Sequence, residues 1–172
     1  MAARLLIEAR PGAGKTTALG RLAELLSDAG ESLSGFLTRE MREDGRRVGF
    51  EIETFGGERG LLAHVDIKGS PRVGRYGVDL EEFERVALPA LQAPGDVILI
   101  DELGKMELAS ERFRQTVLTL FEGDVPIVAT VHTARHTFTD DLKQRPGVST
   151  LRLTAANRDT LPEDLLNRLS RD

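Results

Sequence analysis

The sequence predicts an α/β protein: a mostly parallel sheet flanked by helices, with an antiparallel β-meander inserted near its start. Three observations carry that prediction. Short apolar runs alternate with segments of helical periodicity, the pattern of strand–helix–strand units that build parallel sheets. The first run leads through a Gly/Pro loop directly into a helix. Residues 35–77 then change texture, holding nine of the 17 glycines between runs that look like paired strands.

In chain order, Leu5-Leu6-Ile7 within Arg4–Glu8 is an apolar run, not an alternation, and reads as a short buried strand. Ala9–Gly14 is the loop. A helix follows from Lys15 to about Asp28, with Leu19, Leu22, Ala23 and Leu26 at helical spacing and Gly30 as its stop. Phe36–Arg42 and Arg47–Thr54 read as strands joined at Asp44-Gly45, a hairpin dipeptide. Gly56-Gly57 turns into a third short strand near Leu61–His64, so the antiparallel insertion covers about residues 35–64. Ile67–Tyr76 lacks periodicity and reads as a loop. Asp79 and Glu82 form a capping box, Val78 and Phe83 have staple spacing, and Leu80, Phe83, Val86 and Leu91 give a buried stripe. Pro89 should kink or end that helix. Val97–Ile100 is a second buried strand, running into Asp101-Glu102. Ser110 caps a helix with Phe113, Val117 and Leu120 inward, stopped by Gly123. Ile127–Val131 is a third buried strand, His132–Gly147 is polar and irregular, and Val148–Leu153 is a last strand. Thr160 and Glu163 cap the final helix.

A length of 172 residues suits one domain over residues 1–172, able to bury roughly 70% of its unfolded surface. Apolar residues at 40% and charged residues at 30% fit a soluble globular protein. With no cysteine there are no disulfides, zinc–thiolate sites or thiol chemistry. The longest apolar stretch, about Val97–Ile100, is far short of the roughly 20 residues that cross a bilayer. No signal peptide is visible, so a cytoplasmic protein with no membrane partner is expected. The net charge of −5 argues against broad electrostatic binding to nucleic acid. A monomer is the expected state. The composition holds 19 Arg and only four Lys, which fits a thermophile and a GC-rich coding bias equally. Lys is a compact point charge where Arg is a planar fork. Two of the four, Lys15 and Lys105, lie in the segments that look most like chemistry.

Ala9-Arg10-Pro11-Gly12-Ala13-Gly14-Lys15-Thr16 fits the phosphate-binding loop G-x-x-x-x-G-K-[ST] in all but its first position. Strand before and helix after place the chain in the P-loop NTPase fold class. Gly12 and Gly14 let backbone N–H groups turn inward around phosphate oxygens, and the helix N-terminus adds its positive end. Lys15 reaches the β- and γ-phosphates, and Thr16 puts its hydroxyl on magnesium. Ala9 would be strained if that turn required a positive φ. Asp101, at the end of a buried strand, suits the second magnesium ligand, while the adjacent Glu102 can orient and deprotonate water. The plainer alternative is that Asp-Glu simply leaves the sheet into solvent. Lys105 either lies over the nucleotide or pairs with Glu107. Thr130 and His132, at the end of the third strand, either sense the γ-phosphate or are a core threonine and a strand-end histidine, the latter being favoured. His132 and His136 alone do not make a transition-metal site. Arg135, Arg145 and Arg158 are candidates to neutralise phosphate charge, although each is more readily a surface residue. Arg42, Arg46 and Arg47 on the hairpin stand among Glu40, Glu43 and Asp44, with no aromatic interleaving. Nucleic acid is therefore not the expected partner, though the hairpin leaves it open.

These residues resemble a known family: the small P-loop nucleoside-triphosphatases first described from thermophiles, which include a cancer-related nucleoside-triphosphatase of vertebrates. The resemblance spans nearly the whole chain. It runs through Arg10-Pro-Gly-Ala-Gly-Lys-Thr-Thr17, Gly35-Phe-Leu-Thr-Arg-Glu40, Gly45-Arg-Arg-Val-Gly-Phe50 and Val73-Gly-Arg-Tyr-Gly-Val-Asp79. It continues in Phe83, Ala87-Leu-Pro-Ala-Leu91, Asp101-Glu-Leu-Gly-Lys-Met-Glu107 and Asn157-Arg-Asp159. It implies slow, magnesium-dependent hydrolysis of ATP, GTP, CTP and UTP to nucleoside diphosphate and phosphate, with little base selectivity. It also implies a mixed sheet flanked by helices. By motif match it implies nucleotide contacts from Ala9, Arg10, Pro11, Gly12, Ala13, Gly14, Lys15, Thr16 and Thr17. A second set is Ile98, Leu99, Ile100, Asp101, Glu102, Leu103, Gly104 and Lys105, with Asn157 and Arg158 near the base. The sequence departs from the family at Ala9, usually Gly, and at Leu103, where Ile is common.

The expected enzyme is thus a nucleoside-triphosphate phosphohydrolase with Lys15 and Glu102 catalytic and Thr16 and Asp101 on Mg2+. Two alternatives remain open at this point. One is a small-molecule kinase using the same loop, with an acceptor site under the meander. The other is a nucleotide-dependent switch or RNA-associated module with incidental turnover.

Overall fold

The structure, a computed structural model, describes residues 2–171. Among these residues nine strands form one sheet, in the order β5-β6-β4-β3-β2-β7-β8-β1-β9. The strands are β1 (Arg4–Ala9), β2 (Leu33–Glu43), β3 (Arg46–Thr54), β4 (Arg59–His64), β5 (Arg72–Val73), β6 (Tyr76–Val78), β7 (Val97–Ile100), β8 (Ile127–His132) and β9 (Val148–Arg152). The helices are α1 (Lys15–Asp28), α2 (Leu80–Gln92), α3 (Glu111–Glu122), α4 (Thr137–Lys143) and α5 (Leu161–Leu169), with a 3₁₀ turn at Glu107–Ala109.

The sheet has two halves joined by β2. Strands β2, β7, β8, β1 and β9 run parallel, and β2, β3, β4, β6 and β5 run antiparallel. Phe36 is shared: it pairs with Ile100 of β7 on one side and Thr54 of β3 on the other. The period of two in a strand explains how the apolar runs bury both faces. Leu5, Ile7, Val97, Leu99 and Val128 pack with α1 and α5 residues Leu19, Leu22, Leu26, Leu161 and Leu165. Leu6, Ile98, Ile100, Ile127 and Ala129 face the other way, with α2 and α3 residues Phe83, Leu91, Phe113 and Val117. Phe36, Phe83 and Phe113 meet there with ring centroids 5.1–6.1 Å apart.

Local signals set most boundaries. Asp44 and Gly45 both take positive φ in the hairpin turn. After α1, Gly30 at φ 85 brings the Glu31 N–H to the Leu26 carbonyl at 3.0 Å. The Asp79 side chain accepts from the Glu82 N–H. Ser110, buried, accepts from the Phe113 N–H at 3.1 Å and donates to Glu84 Oε1 at 2.8 Å. Ser110→Ala removes both bonds and leaves a buried N–H unmet. A loss of about 1–2 kcal/mol is expected, read from the urea midpoint.

Four expectations are corrected. Pro89 does not end helix α2, which runs on to Gln92 and carries the buried Leu88 and Leu91; the missing proline N–H forfeits a single bond near the helix end. Ile67–Tyr76 is not all loop, because β5 and the start of β6 fall within it and add to the meander edge, each too short to show a period. Residues 132–147 contain α4, capped unusually by a histidine: His136 Nδ1 accepts from the Phe138 N–H at 3.1 Å. Thr160 does not cap α5 with its side chain; its hydroxyl donates instead to the Asn157 carbonyl.

Candidate active site

The order β7-β8-β1 brings three strand ends together, and the loop after β1 rises over them. Ala9 is the last residue of β1, buried and paired in register with His132. It is not among the positive-φ residues, so no strain arises from its methyl group. The left-handed positions fall later, at Gly12 (φ 77) and Gly14 (φ 97), where the chain turns before entering α1. The free N–H groups of the first turn of α1 then face the mouth of the loop with the positive end of the helix.

Asp101 lies at the end of β7, almost wholly buried. Its Oδ1 accepts from the Thr130 hydroxyl at 2.7 Å and its Oδ2 from the Thr16 hydroxyl at 2.6 Å. The Thr38 N–H lies 3.4 Å from Oδ2, and the Thr38 hydroxyl donates to the Asp101 carbonyl. Burial pushes the Asp101 carboxyl up, and the two hydroxyl bonds pull against it. The peptide bond between Asp101 and Glu102 is cis.

Glu102 stands between two cationic or polar partners. His132 Nε2 is 2.8 Å from its Oε1, and Lys15 Nζ is 3.1 Å from its Oε2. Lys15 Nζ also lies 3.4 Å from His132 Nδ1. An ammonium has only donors, so Nδ1 accepts and the imidazole proton sits on Nε2, directed at Glu102. Oε2 is buried, with the Lys15 ammonium 3.1 Å away as its ion-pair partner. Burial would raise the Glu102 carboxyl, but the His132 bond and the Lys15 charge outweigh it, and the net shift is downward. Glu102 is therefore a charged carboxylate at neutral pH, held by His132 at one oxygen and by Lys15 at the other.

Beyond Glu102 the chain folds back. Gly104 lets the chain pass close to both carboxylates: a Cβ there would meet Glu102 Oε1 at 2.9 Å and Glu107 Oε2 at 3.1 Å and push them aside. The Gly104 N–H donates to Glu107 Oε2 at 3.1 Å. Glu107 is 2% exposed; burial first, then the Glu102 and Asp101 charges, push its carboxyl well above the usual range. Lys105 is exposed and Glu107 buried, so the Lys105–Glu107 ion pair weighed from the sequence does not form. One cavity of about 560 Å3 joins Gly12, Lys15, Thr16, Asp101, Glu102 and His132 with Lys105 and Arg135.

Other predicted residues lie elsewhere. Arg145 pairs with Glu122 at the surface. Asn157 and Arg158 lie in the turn after β9, outside the cavity lining. The Asn157 amide is engaged locally: Oδ1 accepts from the Thr154 N–H and Nδ2 donates to the Arg152 carbonyl. Arg42 and Arg47 both pair with Glu40. Ile98, Leu99 and Ile100 are buried in β7, where they position Asp101 rather than line the cavity. Thr38 and His132 were not singled out from sequence as direct partners of the two acids. The register of β8 against Ala9 is the signal that places His132.

A family model described as NTPase matches residues 4–166. The chain belongs to the NTPase family. Nucleoside-triphosphatase THEP1 of Thermotoga sp. (strain RQ2) is 41% identical over 169 residues, covering 96% of this chain and 95% of that protein. The cancer-related nucleoside-triphosphatase of Homo sapiens is 36% identical, covering 96% of each. Two solved structures of family members share the fold. The crystal structure of THEP1 from Aquifex aeolicus has a TM-score of 0.85 at 33% identity, covering 96% of this chain and 98% of that one. The solution structure of the human cancer-related nucleoside triphosphatase has a TM-score of 0.86 at 34% identity, covering 99% of both. The mixed sheet and its five covering helices are thus the α/β fold of this NTPase family, as the sequence led one to expect.

Proposed function

We propose that this NTPase hydrolyses nucleoside 5′-triphosphates to diphosphate and phosphate, with magnesium and with little preference for the base. The observation that carries the reading is Glu102: a charged carboxylate beside the phosphate-binding loop, fixed by His132 at Oε1 and facing Lys15 at Oε2. Water accepted there loses a proton to Glu102 as its oxygen attacks the γ-phosphorus. The bond from that phosphorus to the β–γ bridging oxygen breaks, and its electron pair leaves with the nucleoside diphosphate. Lys15 and the N–H groups from Gly12 to Thr16 offset the charge on the phosphoryl oxygens.

Thr16 and Asp101 are the residues that would hold magnesium. Their hydroxyl and carboxylate touch at the mouth of the loop, and a magnesium ion takes few protein oxygens beside phosphate and water. When bound, the ion neutralises charge shared between the β- and γ-phosphates. Thr130 and Thr38 keep the Asp101 carboxylate oriented toward Thr16.

Base tolerance follows from the same geometry, because the groups gathered around Lys15 all address phosphate and none reads a base edge. Asn157 and Arg158 remain the proposed neighbours of the base. A cytoplasmic monomer fits this reading. No described helix is long and apolar enough to cross a membrane, and Val125 is the one exposed large hydrophobic residue among those described.

The test is phosphate release from ATP, GTP, CTP and UTP with magnesium and with EDTA in its place. All four should be hydrolysed at rates within about tenfold of one another, and EDTA should abolish release. Strict use of one nucleotide, or unchanged release in EDTA, would overturn the corresponding part of the reading.

A further inference from the structure

The cavity of about 560 Å3 that holds Lys15 and Glu102 extends well beyond the phosphate-binding loop and the two acids. The surplus lies on the meander side of Asp101. Its walls include Phe50, Leu62, Val73, Tyr76 and Met106, which have no use for phosphate. None of the lining residues belongs to β9 or to the turn after it. In the sheet order that turn follows the far edge strand, beyond β8 and β1, whereas the chamber walls come from β3, β4, β5 and β6 beyond β2. With the base near Asn157 and Arg158, as proposed above, the chamber lies past the γ-phosphate position, on the side from which an attacking group approaches.

The wall chemistry selects a ligand. Phe50 and Tyr76 pack edge-on, with ring centroids 5.3 Å apart. The Arg47 guanidinium lies 5.2 Å from the Phe50 centroid and 5.8 Å from that of Tyr76. It is held there by the Tyr76 hydroxyl at 3.0 Å and by Glu40 at 3.3 Å. Glu40 is shared between Arg47 and Arg42, and the Arg75 guanidinium lies 5.2 Å from the Tyr76 centroid, so the far end of the chamber is an aromatic platform with a surplus of positive charge.

We propose that this chamber is an acceptor site for an alcohol carrying a flat ring, and that the enzyme transfers the γ-phosphoryl group to it. The ring lies against Phe50, Tyr76 and Met106, and the hydroxyl reaches Glu102. The hydroxyl oxygen forms a bond to the γ-phosphorus while the bond to the β–γ bridging oxygen breaks. The hydroxyl proton passes to Glu102, and the products are a phosphate monoester and a nucleoside diphosphate. Hydrolysis is then the reaction of the same site with water in place of the alcohol. The proposal rests on the reading of Glu102 as base.

Benzyl alcohol is the minimal probe of this class, and methanol is its ringless control. Each is added at the same concentration to enzyme, ATP and magnesium, and the monoester and inorganic phosphate are measured by 31P NMR. Burying a ring in the chamber should give roughly ten- to a hundredfold more benzyl phosphate than methyl phosphate. Val73→Trp, and Met106→Trp from another part of the wall, fill the chamber and should bring the two monoesters to parity. Inorganic phosphate released with no excess of benzyl over methyl phosphate overturns the acceptor site and leaves the hydrolase reading intact. An excess that survives both tryptophan variants also overturns it. Benzyl phosphate formed without inorganic phosphate sustains the acceptor site and removes hydrolysis as the main reaction. Neither product means that both readings fail.

Discussion

Glu102→Gln should bind nucleoside triphosphate as well as the wild type and release phosphate about 10²–10⁴-fold more slowly. Glutamine keeps the volume of the side chain. Its amide oxygen can still accept from His132 Nε2, which holds Oε1 of the glutamate at 2.8 Å. What it lacks is the negative charge and the ability to take a proton. Lys15, 3.1 Å from Oε2, loses its internal counter-charge and becomes fully available to phosphate. The effect should therefore fall on kcat, with nucleotide affinity equal or tighter, a split that separates a base from a binding residue. Calorimetric titration with ATP beside single-turnover phosphate release measures both. A fall in rate below tenfold, or a loss of binding in proportion to rate, would take the role of base from Glu102.

Glu107→Gln should stabilise the protein, increasingly so as pH rises. The Glu107 carboxyl is wholly buried, and its folded-state pKa is well above the ordinary 4.5 because burial and the neighbouring Glu102 and Asp101 charges oppose ionisation. In the unfolded chain it ionises near 4.5. Above that pH the folded state retains a proton that the unfolded state releases, so each rise in pH favours unfolding. The loss continues until the folded carboxyl itself ionises. Its slope approaches about 1.4 kcal/mol per pH unit. Glutamine is neutral in both states and can still accept from the Gly104 N–H, the bond Oε2 makes at 3.1 Å. Urea midpoints of the two proteins should converge near pH 4.5 and separate progressively above it. A constant gap across pH would mean that Glu107 is ionised in the folded protein.

What the sequence disclosed and what it hid follow from the range of the interactions. The loop before α1 and the Asp101-Glu102 pair could be read because their chemistry is local, with residue types fixed by spacing along a few positions. The doubly covered sheet could be read because both faces of β1, β7 and β8 are apolar. Lys105 and Glu107 look like an ion pair two residues apart, but the 3₁₀ turn sends one outward and the other inward. His132 reads as an ordinary strand-end histidine until the register of β8 against β1 sets it beside Ala9, within reach of Lys15 and Glu102. The sequence shows a strand over Phe36–Arg42, yet nothing along its own length says that the strand begins at Leu33, pairs parallel with β7 and brings Thr38 to Asp101. Helix α4 went unseen because its cap is a histidine, and the edge strands β5 and β6 because two and three residues carry no period.

The double membership of β2 also sets a clock. Thr38 and Asp101 are 63 residues apart along the chain, Thr16 and Asp101 85, and Lys15 and His132 117. The antiparallel half can pair between neighbours in sequence, but every contact of the catalytic cluster waits for the long loops of the parallel half to close. After dilution from denaturant, the meander can regain its strands early, while catalysis returns only with the last and longest-range pairings. Over that interval the chain has recovered much of its sheet and none of its chemistry.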